Sequence, residues 1–311
     1  MIIINDVTLR DGLQNEPFFV PTEKKIKLIN LLIDAGIEYL EITSFVRPDV
    51  IPQLKDNFEL ATSDDLKKAH FSALVPNLKG FKRLIETKVE EAVFFVSACE
   101  IHNQENVRKA IDESLSELKE ICDFSKNVNN SKKIKIAISM VFGSPFTKSL
   151  PEDKNLFKII DFALENCIHE ITLSDTWGFA DEKTFYNQLK KIQNNYKGVS
   201  FSLHLHDIGG RGIRNLEIGL KEGVLKFDTS LAGLGGCPFS TEKGGNIDIF
   251  EALKVVEKLN LNHNIDKSKL KIAQNLIKNI LISSYNLTKW YTFWKIYSIG
   301  LLIELYIYEK I

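Results

Sequence analysis

His204 and His206 stand two residues apart at the end of an alternating, strand-like run, with Asp207 directly after them. A side-chain period of two turns both imidazoles to one face. A pair at one rim can hold a metal; it can equally be solvated or satisfied inside a core. Asp11, in Arg10-Asp11-Gly12, closes a first apolar run, and Glu41 and Asp175 stand at the exits of two later ones. Singly, each has a plainer reading: Asp11 as a turn aspartate using the freedom of Gly12, the other two as surface carboxylates or helix caps. Together they form a ring of oxygen and nitrogen donors without a thiolate cluster. Such a set favours Mg²⁺ or Mn²⁺ over structural zinc, and zinc with an open position stays allowed.

A glycine-rich stretch, Ala232-Gly233-Leu234-Gly235-Gly236-Cys237-Pro238-Phe239, leads through charged residues to Gly244-Gly245-Asn246. Its glycines suit a loop that closes over a substrate, and Cys237 could then reach the chemistry. The alternative is a turn carrying an inert small hydrophobe. Cys99, Cys122 and Cys167 lie in or beside regular elements and read as packing residues.

Elements able to position these groups recur along the chain. Strand candidates run Ile2 to Val7, Tyr39 to Ile42, Phe71 to Val75, Ala92 to Val96, Ile134 to Val141, Glu170 to Leu173, Ser200 to Leu205 and Lys226 to Leu231, with helical patterns between them. One such helix would start with Thr22 as N-cap, carry an Ile26, Ile29, Leu32, Ile33 stripe and close at Gly36. Pro151 suits a helix start, and Asp181 a cap. Eight βα units predict a parallel sheet closed into a (β/α)8 TIM barrel, whose reactive groups come from the C-terminal strand ends. A doubly wound open sheet is the runner-up, without a glycine-rich dinucleotide loop after the first strand to support it. Further helices, Ile247 to Leu259 and Lys269 to Ile282, follow the barrel.

The expected organisation is one catalytic domain over residues 1–285, C-terminal helices included, and an aromatic-rich tail over 286–311. The tail contains Trp290, Trp294 and Tyr297, and Lys295 and Glu304 interrupt it, which weakens a membrane-span reading. Packing against the barrel or a partner subunit, membrane association and a segment foreign to the parent fold are its alternatives.

The chain has 311 residues, 44% hydrophobic, and 40 basic against 41 acidic side chains. A formal charge of -1 gives no global pull toward nucleic acid or anionic lipid, so a small-molecule or protein partner is the default. Four scattered cysteines and a start without a basic, cleavable leader suggest a cytoplasmic protein.

Several motifs now fall together: Arg10-Asp11-Gly12-Leu13-Gln14-Asn15-Glu16, Glu41-Ile42-Thr43-Ser44-Phe45-Val46, Val75-Pro76-Asn77-Leu78-Lys79-Gly80-Phe81, Ser174-Asp175-Thr176, the His204-x-His206-Asp207 run and the cysteine loop ending at Gly245-Asn246. In order and spacing the sequence resembles the 3-hydroxy-3-methylglutaryl-CoA lyases up to about residue 260. The resemblance implies a divalent metal held by Asp11, His204, His206 and Asn246, with Arg10 on the substrate's thioester carbonyl and Cys237 as the catalytic loop cysteine. Glu41 and Asp175 match acidic residues of the family's site in supporting roles, and Gln14 is a candidate substrate contact.

It also implies cleavage of the C2–C3 bond of a 3-hydroxyacyl-CoA, 3-hydroxy-3-methylglutaryl-CoA first among them, to acetyl-CoA and acetoacetate. The hydroxyl base would be Asp11 or His204. A homodimer is compatible with this. Aldol-type synthases of the isopropylmalate or citramalate kind share the Arg-Asp and His-x-His motifs and form the runner-up; a non-catalytic binding barrel is the third reading. Two features depart from the family: Arg211 and Arg214 after the histidine strand, and the aromatic tail.

Overall fold

The computed structural model describes residues 2–128, 130–166, 168–178, 180–236 and 244–284. Its frame is eight parallel strands: β1 (Ile3–Asp6), β2 (Tyr39–Ser44), β3 (His70–Leu74), β4 (Glu91–Ser97), β5 (Lys133–Ser139), β6 (Ile168–Asp175), β7 (Phe201–Asp207) and β8 (Lys226–Thr229). Neighbours in sequence pair throughout, and β8 pairs with β1 to close the barrel. A short β9 (Gly245–Asn246) runs antiparallel on β7 and sets Asn246 opposite His206.

The strands alternate with a purpose. In β5, Lys135, Ala137 and Ser139 face the cavity at the barrel mouth, while Ile134, Ile136 and Ile138 are buried in the hydrophobic cluster shared with the helices. β6, β7 and β8 repeat the pattern: Thr172, Ser174, His204, His206 and Asp228 face the cavity, and Leu173, Leu203, Leu205 and Phe227 join the cluster. Strands of parallel sheets usually read as continuous apolar runs. Here the axis is polar on the side of β5 to β8, and the main apolar core is a ring between strands and helices.

The helices supply the outer half of that ring. Helix Asp153–Glu165 buries Leu156, Ile159, Ile160 and Ala163, a spacing that puts one stripe on one face. Each large aliphatic side chain so buried contributes about 1.5–3 kcal/mol. Asp181 accepts from the Thr184 amide over 2.6 Å and starts Glu182–Asn195, as its sequence position suggests. Helix Thr22–Asp34 instead has Pro21 at its N-cap, because the Thr22 hydroxyl is drawn to Asp56 (3.0 Å). The helix expected from Ile247 begins at Ile249, after β9, where Asp248 accepts from the Phe250 and Glu251 amides. A last helix follows over 267–284.

The first strand ends earlier than its sequence suggests. Asp11 lies beyond it, in a π-helical turn, Thr8–Gly12, that winds the chain back over the mouth. Cys99 and Cys122 are buried, as expected of packing residues. Cys167, Cys237 and the aromatic tail lie outside the described residues. Among those described, no helix is long and apolar enough to cross a membrane.

Candidate active site

At the C-terminal ends of the strands lies a cavity of about 270 Å³. Its polar side holds Arg10, Asp11, Gln14, Glu41, His204, His206 and Asp228; Leu74, Val93, Phe95 and Ala137 form an apolar wall.

Asp11, His204 and His206 are buried and turn one ligand-type atom each toward a common point, all within 4.8 Å of one another. The two Nε2 atoms are 3.2 Å apart, and Asp11 Oδ2 is 3.7 Å from His206 Nε2. Asn246 completes the group: its Nδ2 donates to Asp11 Oδ2 over 2.6 Å, and its Oδ1 is buried with no hydrogen-bond partner. A buried amide oxygen without a donor costs about 1–3 kcal/mol unless something else takes its lone pairs. Beside a carboxylate and two imidazoles, the fitting occupant is a divalent cation, so the residues present suit a metal. β9 brings Asn246 there, and the backbone around it needs glycine. A Cβ on Gly235 (φ +107°) would run into Asn246 Nδ2 and lie 2.8 Å from Asp11 Oδ2, and one on Gly245 would strike the Gly233 carbonyl.

Arg10 is clamped beside this group. Its Nε donates to Glu41 Oε1 (2.6 Å), one terminal nitrogen to Glu41 Oε2 (3.3 Å) and the other to Asp11 Oδ1 (2.6 Å). Glu41 therefore orients the arginine and does not enter the cluster of ligand atoms. Gln14 lines the cavity and donates to Asp11 Oδ1 (2.8 Å). Asp175 is not brought in. Its parity on β6 turns it away from the cavity, and its carboxylate accepts from the Gly178 and Ala180 amides, shaping the following turn. Of the two rim arginines, Arg214 pairs with Glu182 on the exposed surface.

Asp228, absent from the sequence reading, lies behind His204. Its Oδ2 is 3.0 Å from His204 Nδ1, and its Oδ1 accepts from Asn5 Nδ2 over 2.8 Å. The clue was present: Lys226 and Asp228 share the face of β8 that points along the axis, a charged pair where a core strand should be apolar.

The charges are strongly coupled. Burial opposes ionisation of Asp11, but Arg10 and the two histidines outweigh it and hold the carboxyl well below the usual range. Burial likewise works against Asp228, and Lys135, His204 and Asn5 hold it low. Burial opposes a charge on His204 too, but its hydrogen bond to Asp228 prevails and raises it; on His206 burial wins and its pKa falls. The site thus keeps Asp11 and Asp228 ionised at neutral pH.

A closed parallel barrel with such a mouth belongs to the class of carbon–carbon lyases built on (β/α)8 frames, in a family that depends on a metal. The comparisons agree. The HMGL-like family model matches residues 1–277. The hydroxymethylglutaryl-CoA lyase of Bacillus subtilis is 35% identical over 278 residues, covering 89% of this chain and 92% of that protein. The human mitochondrial hydroxymethylglutaryl-CoA lyase is 32% identical over 275 residues, 88% of this chain and 84% of that protein. Among solved structures, an HMG-CoA lyase from Acinetobacter baumannii in complex with coenzyme A and 3-methylmalate superposes with a TM-score of 0.83 at 31% identity, covering 90% of this chain and 91% of that one. The chain belongs to the HMGL-like family.

Proposed function

We propose that this chain cleaves the C2–C3 bond of a 3-hydroxyacyl-CoA, with 3-hydroxy-3-methylglutaryl-CoA as substrate and acetyl-CoA and acetoacetate as products. The observation that carries the reading is the meeting of Asp11, His204, His206 and the unpartnered Asn246 oxygen beside a clamped Arg10. The relatives' names and the coenzyme A held by one structural neighbour support the thioester as the substrate class.

Asp11, His204, His206 and Asn246 would hold the ion, and their oxygen and nitrogen donors suit Mg²⁺ or Mn²⁺. Such an ion supplies Lewis-acid polarisation of the substrate hydroxyl and a fixed point for its orientation. Cleavage needs a base for the hydroxyl proton and stabilisation of the departing enolate. Asp11 is the candidate base; His204, with Nδ1 against Asp228 and its other nitrogen given to the ion, has no lone pair left for that proton. Arg10, fixed by Glu41, presents its guanidinium to the oxygen that gains negative charge. The apolar wall of Leu74, Val93 and Phe95 accommodates the methyl side of the substrate and limits water. Cys237 is the proposed acid that returns a proton to the enolate carbon.

The test is a cleavage assay across a panel of 3-hydroxyacyl-CoA thioesters, after chelation and with Mg²⁺ or Mn²⁺ added back. Release of acetyl-CoA only with metal is the expected result. A folded, metal-loaded protein that cleaves none of them, or that instead condenses acetyl-CoA with 2-oxo acids, would sink the proposal.

A further inference from the structure

His204 can offer a metal only one of its two nitrogens, and the residue behind it decides which. Asp228 is buried on β8, one strand across from His204 on β7, and its carboxylate lies against two nitrogen atoms. Asn5 Nδ2 approaches Oδ1 at 2.8 Å and His204 Nδ1 approaches Oδ2 at 3.0 Å. An ionised carboxylate accepts and never donates. Both partners must therefore bring a proton, so Nδ1 of His204 carries a hydrogen. That leaves Nε2, the nitrogen 3.2 Å from His206 Nε2, to face the shared point of the cluster.

Asn5 makes this choice hard to reverse. It comes from β1, and β8 pairs with β1 in the register Asn5 to Asp228, so backbone pairing sets the amide beside Asp228 and the carboxylate draws its nitrogen to one oxygen. The carboxylate is left with the other oxygen, and one orientation, for the imidazole. Ligand histidines generally depend on such a partner for ring orientation and tautomer.

We propose that Asp228, held in place by Asn5, is a positioning residue that selects the His204 tautomer whose Nε2 binds the divalent metal. This rests on the cluster of Asp11, His204, His206 and Asn246 being the metal site. It makes β1 and β8, whose other residues stay outside the cluster, part of the site's specification.

An isosteric change at Asp228 exposes this dependence. In Asp228→Asn, the arrangement in which Asn5 keeps donating turns the new amide's oxygen to Asn5 and its nitrogen to His204. Nδ1 must then accept, and the proton moves to Nε2, where it blocks the metal. Exchanging the two groups, Asn5→Asp together with Asp228→Asn, reverses this. The carboxylate at position 5 can only accept, so the amide at 228 gives it the nitrogen and returns its oxygen to His204.

Mn²⁺ alone is the probe, titrated into the metal-free chains and followed by the electron paramagnetic resonance of the free ion, with circular dichroism to verify folding. Asp228→Asn is expected to weaken Mn²⁺ binding about 10–100-fold, and the exchanged pair to recover most of that loss. Nitrogen-15 NMR of the histidine rings in the unaltered chain with Mg²⁺ should read a proton on His204 Nδ1. Undiminished binding by a folded Asp228→Asn, no recovery in a folded exchanged pair, or a proton on Nε2 with Mg²⁺ bound would each overturn the proposal. An unaltered, folded chain that takes up no Mn²⁺ is a different result: it removes the metal site itself.

Discussion

Asn246 and His206 sit opposite one another where β9 meets β7, so one two-residue ladder places both a side-chain amide and an imidazole at the cluster. Asn246→Ala should keep the ladder, which is made by the backbone, and lose the oxygen. We expect Mn²⁺ and Mg²⁺ affinity to fall about tenfold or more, with a small fall in melting temperature because the amide's hydrogen bonds to Asp11 and the Leu234 carbonyl are lost with it. Isothermal titration of the metal-free protein reads this, and unchanged affinity would exclude Asn246 as a ligand.

Arg10 meets Glu41 through two nitrogens, a geometry an ammonium cannot reproduce. Arg10→Lys is expected to lower kcat by about 100-fold or more, the size of effect seen when a donor to developing negative charge is lost. Metal affinity should change little. If kcat is kept and only KM rises, the arginine binds the substrate without acting on the cleavage step.

Gly235 is a geometric demand. With φ at +107° and no space toward Asn246 and Asp11, Gly235→Ala must push the loop off the cluster. Turnover and metal affinity should both drop, and more steeply than the melting temperature. A variant with normal metal binding would show that the loop can move aside without cost.

The lower half of the barrel axis should be visible in acid. Burial pushes Glu170 upward, but Lys135 (3.0 Å) and Lys226 outweigh it and bring its carboxyl down to about 2. A depressed folded pKa means stability that is complete above the unfolded value, about 4.5, and is lost as the pH falls toward the folded one. The contribution at neutral pH is about 3 kcal/mol. The melting temperature of the unaltered chain should therefore exceed that of Glu170→Gln at pH 7, and the gap should narrow steadily below about pH 4.5. A gap that stays constant down to about pH 3 would contradict the assignment.

Much of this was legible in the residues. The eight strands, the caps such as Asp181 and the shared face of His204 and His206 follow from short-range periodicity, which depends on few neighbours. Asp11 was found by its motif but misplaced, because a π-helical turn has no sequence period of its own. Asp175 was grouped with the site by its position at a strand exit and by resemblance, in a supporting role; its parity on β6 turns it away from the cavity. Asp228, Asn5 and Lys135 were overlooked because each sits inside a strand, where the expectation of an apolar core hid a polar one. The pairing of Asn5 with Asp228 spans more than two hundred residues and exists only once the barrel closes.

The same strands carry reactivity on one face and cohesion on the other. Ile136, Ile138, Leu173, Leu203 and Leu205 grip the helices, while the residues between them line the reaction space. A designer could therefore harden this protein by repacking the outer annulus and leave its turnover untouched. Conversely, the axis can be rewritten for another acyl group without loosening the scaffold, provided its charges are exchanged in pairs.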